Sequence, residues 1–159
     1  AVPVWRVADA EVAAAGEFVV EVLAYRTGLI TGADLAPGYV EIELDYTVTS
    51  STDETWRTTY FNPMTQALIA REDGYVAIPQ QHNYDHVALK VGEPHEVKTA
   101  FAVPAEELES GFFYLLVRSR DESAYPYASG WIETTIPIGL TDRHYPSDSK
   151  EVGKDRQAG

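Results

Sequence analysis

The chain has 159 residues, 12 Lys+Arg against 25 Asp+Glu for a formal net charge of −13, and no cysteine. That length suits one domain, and 45% hydrophobic with 11% aromatic residues provides material for a core. The charge opposes phosphate backbones and anionic membranes, while the missing thiols exclude disulfides and thiolate metal sites.

Taken in chain order, Ala1-Val2-Pro3-Val4 opens with no basic n-region and no long apolar h-region, so no signal peptide is expected in this sequence. Ala8–Gly16 (ADAEVAAAG) has helical propensity but is short for an isolated helix. From Glu17 to Tyr25, Phe18, Val20, Val22 and Ala24 alternate with Glu17, Val19, Glu21 and Leu23, the period of a strand with two unlike faces. Tyr39–Thr49 repeats the pattern more strictly, with Val40, Ile42, Leu44, Tyr46 and Val48 opposing Glu41, Glu43, Asp45 and Thr47. Gln66–Glu72 and Tyr75–Ile78 flank Asp73-Gly74, a hairpin signal. His95–Val103 alternates again. Pro104 followed by Ala105-Glu106-Glu107 marks a single helical turn, with proline at its start and acidic residues in its first turn. Phe112–Ser119 is apolar on both faces until Arg118, as in a central strand, and Trp131–Ile138 alternates. Residues 141–159 are polar and aperiodic, which predicts a weakly ordered tail after a single domain spanning 1–140. No apolar run reaches the roughly 18 residues that span a bilayer, so no direct membrane insertion is expected.

Seven to eight short strands with turn punctuation predict an all-β, immunoglobulin-like antiparallel β-sandwich with one short helical turn. The order of several motifs carries a further likeness. These are Gly38–Val48 running into a polar turn, Asp73-Gly74, Leu89-Lys90-Val91-Gly92-Glu93, Phe101-Ala102-Val103-Pro104 and the aromatic-aliphatic strand Phe112–Val117. In this order the chain resembles the telokin-like, immunoglobulin-like secreted domains of bacteria, typified by the mycobacterial immunoprotective extracellular antigen and found in many lipoproteins of unknown function. The likeness runs from about Gly16 to Ile138. One departure is Thr49-Ser50-Ser51, where members often carry Asn at the end of the long strand. The resemblance implies a sandwich at the cell surface or outside the cell, and it brings no catalytic residues with it.

Three constellations can carry chemistry. Gln80-Gln81-His82-Asn83-Tyr84-Asp85-His86 places two imidazoles and a carboxylate within five residues, donors suited to zinc or copper. Pro79 argues for a loop there; in an extended segment His82 and His86 lie roughly 13 Å apart, too far for one ion. The competing reading is a solvated loop. Second, Glu41, Glu43 and Asp45, with Glu17 and Glu21 on a neighbouring strand, form an acidic face able to hold calcium or act as an acid/base pair. The plainer reading is a wet face paired with Lys98, Arg118 or Arg71. Third, Trp56, Tyr60 and Phe61 in a polar turn region, and Tyr125, Tyr127 and Trp131 near a second turn, form an aromatic feature whose exposed Tyr and Trp are anchors of the kind that recognise peptide, carbohydrate or protein. They are equally suited to capping the sandwich ends, with Trp131 in the core.

There is no Gly-x-Ser-x-Gly elbow, His-Glu-x-x-His helix, phosphate loop or EF-hand. The leading expectation is therefore a non-enzymatic extracellular or cell-envelope module that binds a protein or carbohydrate partner, without cofactor and without nucleic acid. A metal protein or metal-dependent enzyme built on His82, Asp85 and His86, and an architectural spacer, are the alternatives.

Overall fold

The structure is a computed structural model that describes residues 5–7, 12–51, 59–80, 86–121, 130–140 and 144–146. It is an all-β sandwich of antiparallel sheets. One sheet runs β12 (His144–Pro146), β1 (Trp5–Val7), β3 (Phe18–Gly28), β4 (Tyr39–Ser50) and β9 (His95–Pro104). The other runs β11 (Gly130–Gly139), β10 (Phe112–Asp121), β6 (Ala67–Ala70) and β7 (Val76–Ala77). A two-stranded ribbon, β5 (Thr59–Phe61) with β8 (Val87–Leu89), adjoins them, and β2 (Val12–Ala15) pairs with β3.

The alternating residues define the core. Phe18, Val20 and Val22 of β3, with Ile42, Leu44, Tyr46 and Val48 of β4, meet Phe113, Leu115, Val117, Ile136 and Ile138 from the opposite sheet in one buried cluster. Removing that apolar area from water is the main force holding a sandwich that has no disulfide. Phe61 is fully buried and stands edge-on to both Phe18 (5.2 Å between centroids) and Tyr46 (6.2 Å), so the short ribbon closes one side of the core. Inside the core the Tyr46 hydroxyl and Thr99 Oγ1 share a hydrogen bond of 2.8 Å, which satisfies the polar end of a ring placed there for its bulk.

The structure differs from the sequence reading in three places. The alanine run at 12–15 is a strand, because pairing Val12, Ala13, Ala14 and Ala15 with Glu21, Val20, Val19 and Phe18 outweighs weak helical propensity. The two-residue turn that closes this hairpin is Gly16-Glu17, with Gly16 at φ +57°, so Glu17 is a turn residue. Beyond the hairpin, β2 and β1 pair with successive parts of β3, at Phe18–Glu21 and Ala24–Tyr25, and the β3–β4 register shifts between Val22 and Ala24. Within the polar C-terminal segment, 144–146 is a strand that pairs with β1. The predicted helical turn after Pro104 is a 3₁₀ turn over Ala105–Ser110, closed by Gly111 at φ +68°. The Asp73-Gly74 turn joins β6 to β7, with the Asp73 carboxylate accepting from the Tyr75 amide at 3.0 Å.

Candidate functional site

The acidic face differs most from its expected form. Glu41 has the phase of a solvent-facing residue, yet it is 1% exposed. Its Oε1 accepts from the Ile30 amide (2.7 Å) and the Thr31 amide (2.8 Å), and its Oε2 from Thr31 Oγ1 (2.5 Å) and Gln80 Nε2 (3.1 Å). The segment after β3 and the chain at Pro79–Gln80 therefore both close over it; Gln80 also donates to the Ala100 carbonyl at 2.9 Å. Burial pushes the carboxyl up, but the Thr31 hydroxyl, the two amides and Gln80 outweigh it and hold its pKa below the ordinary value. Glu41 is a structural anchor that ties two loops to β4.

Its neighbours are half-buried. Glu43 pairs with Arg26 across the β3–β4 register, its Oε1 accepting from Arg26 Nε at 3.0 Å. Asp45 stands opposite Lys98 on β9, and burial together with the nearby Glu96 raises its pKa despite that lysine. The other two predicted cations serve elsewhere. Arg71 lies 4.6 Å over the Phe112 ring, and Arg118 faces Glu133 (Nε to Oε1, 3.5 Å). Among the described residues no cluster of three or more His, Asp or Glu side chains is placed to hold a metal ion.

Of the described aromatic candidates Tyr60 and Trp131 come together, whereas Phe61 is buried in the core and not at a loop surface. A cleft of about 230 Å³ opens at one end of the sandwich, lined by Glu17, Phe18, Tyr60, Asn62, Thr65, His86, Arg118, Ser119 and Trp131. Tyr60, on β5, is 58% exposed and Trp131, near the start of β11, is 45% exposed, so neither is core. Phe18 is buried and contributes an apolar wall. His86 joins this cleft as an exposed residue. Trp56, Tyr125, Tyr127, His82 and Asp85 lie outside the described residues.

The cleft is held by a residue that carries no motif in the sequence. Gln66 is 2% exposed and follows a short 3₁₀ turn at Pro63–Thr65. Its Nε2 donates to the Asn62 carbonyl (3.3 Å) and to Thr65 Oγ1 (2.5 Å), while its Oε1 accepts from the Arg118 amide (2.9 Å). One buried amide thus locks the turn bearing Asn62 and Thr65 to the strand bearing Arg118 and Ser119. The only trace of this in the sequence is a polar residue beginning the apolar run Ala67–Ala70. On the far wall, Gly16 lets the β2–β3 turn press on β10; a Cβ there would stand 2.8 Å from Ser119 Oγ.

No protein-family model matches the chain, and no curated protein matches it. Among solved structures it is similar to a functionally unknown protein from Listeria monocytogenes EGD-e, with a TM-score of 0.56 and 8% sequence identity over 86% of this chain and 85% of that one. At this identity the likeness is one of fold.

Proposed function

We propose that the chain is a non-enzymatic binding module of the cell envelope or the extracellular space, with an immunoglobulin-like sandwich of the telokin-like kind as its scaffold. The observation that carries this reading is the pair of exposed aromatic rings, Tyr60 and Trp131, on one cleft whose other side chains are mostly polar. Tyr and Trp rings with one face apolar and a polar tip are the side chains that most often dominate recognition energetics. Concave sites with apolar walls and a few fixed polar groups are the usual form of small-ligand sites. The acidic surface keeps the module away from anionic lipid and nucleic acid while the cleft engages its partner.

The test is binding of the labelled chain to isolated bacterial envelopes beside a Tyr60→Ser, Trp131→Ser double variant with an unchanged melting temperature. Retention of the parent and loss of the variant support the module. Equal retention of both removes the cleft from the function.

A further inference from the structure

We infer that the cleft's ligand is a neutral carbohydrate, with one pyranose ring seated against Trp131 and Tyr60; this rests on the binding reading above and names its ligand. Size is the first argument. At about 230 Å³ the cleft is smaller than the roughly 300–1,000 Å³ of sites for drug-sized molecules, and it takes a group of ring size.

The second argument is the mixture of hydrogen-bonding groups. Arg118 supplies donors only, and Glu17 brings an acidic group to the same cleft. Asn62 spends its Oδ1 on the Met64 amide at 3.0 Å and keeps its NH₂ as a donor. His86 adds a ring whose two nitrogens can donate and accept, while Thr65 Oγ1 already donates to the Asn62 carbonyl at 2.8 Å and accepts from Gln66. A sugar hydroxyl both donates and accepts, so a polyhydroxylated ring can satisfy such a set. A carboxylate or phosphate ligand needs donors, and here it would meet Glu17 in the cleft and Glu133 beside Arg118. An apolar side chain would offer the Asn62 NH₂ and the His86 ring nothing to bond in place of water.

The third argument is the aromatic pair. Aromatic faces carry partial negative charge and attract the weakly positive C–H groups that line one side of a pyranose. Fixed polar groups then choose the hydroxyl pattern. The backbone that carries those groups is held before any ligand arrives, because buried Gln66 ties the Asn62 carbonyl, Thr65 Oγ1 and the Arg118 amide together. That arrangement lowers the ordering cost of binding.

The experiment is a titration of the intact chain, followed by ¹H–¹⁵N NMR, with cellotetraose, mannotetraose, chitotetraose, tetragalacturonate and a tyrosine- and proline-rich peptide pool. At least one of the three neutral oligosaccharides is expected to bind and to shift the Trp131 indole, Tyr60 and Arg118 resonances. Trp131→Ala is expected to weaken that binding about tenfold or more, with Trp131→Phe retaining most of it. Arg118→Gln is expected to alter the preference among the neutral sugars. If Trp131→Ala fails to fold, the shift map of the parent and the Arg118→Gln titration still decide the matter. Binding of tetragalacturonate alone or of peptide alone overturns the neutral-sugar inference and leaves the module standing. Silence from every probe also overturns the inference; the module then stands only if envelope retention still depends on Tyr60 and Trp131.

Discussion

Glu41→Gln is the substitution that most sharply separates a structural carboxylate from an exposed acidic face. The variant keeps one oxygen for the Ile30 and Thr31 amides but places an NH₂ donor where Thr31 Oγ1 and Gln80 Nε2 now donate. Hydrogen bonds to a charged group contribute about 1.5–3 kcal/mol each against about 0.5–1.5 for neutral ones, so the two amide bonds weaken, the Thr31 hydroxyl must turn to accept, and the Gln80 bond is lost. Removing the buried charge returns part of this, because a neutral amide costs less to desolvate. The net expectation is a loss of about 2–3 kcal/mol, which for a chain of this size lowers the melting temperature by about 5–10 °C. The pH dependence gives the sign. The folded pKa of Glu41 lies below its ordinary value, so its contribution is present above the unfolded pKa of roughly 4.3 and is lost as pH falls through the folded value. Urea denaturation of parent and variant should therefore show a full gap at pH 7 that narrows below about pH 4. Coincident midpoints at pH 7, or a gap unchanged down to pH 3, would refute the anchor.

Four further outcomes are expected. Gly16→Ala should destabilise by about 1–3 kcal/mol from the positive φ together with the clash at Ser119, and adding Ser119→Gly should recover part of the melting temperature. Gln66→Leu should cost a similar amount by stranding the Arg118 amide, and should weaken any cleft ligand more than Gln66→Glu does at a pH where that carboxyl is protonated. The Glu107 carboxyl, pushed up to about 7 by a hydrogen bond to Asp73 and then by partial burial, should titrate near neutral pH by ¹³C NMR; Asp73→Asn should return it towards the ordinary carboxylate range. Metal analysis of protein purified without a His tag should find sub-stoichiometric zinc and copper before and after His82→Ala. A stoichiometric ion lost in that variant would favour the His82, Asp85, His86 alternative.

The strands legible in the sequence are those long enough to show a period, together with the short β6 and β7 that flank a turn signal. β3, β4, β9 and β11 each run ten residues or more, and Asp73-Gly74 marked its own turn. β1, β5, β8 and β12 have three residues each, too few for alternation to register, and β12 sits in a stretch whose polarity concealed it. Alternation also assigns a residue to a face without saying what covers that face. Glu41 has the same phase as Glu43, and only the Ile30–Thr31 segment and Gln80, brought over it by the fold, make it a buried anchor. For the cleft, Tyr60 and Trp131 were visible as aromatics near turns, but their convergence was not. It depends on β5 and the β10–β11 pair meeting at one end of the sandwich, with Gln66 bridging 52 positions of sequence to Arg118.

The cleft itself is tested most directly by mapping chemical-shift changes as the retained envelope fraction is added to the ¹⁵N-labelled chain. A module that binds through this end will show changes concentrated at Tyr60, His86, Arg118 and Trp131. Changes confined to another surface, such as the exposed edge at Val76 and Ile78, would contradict it.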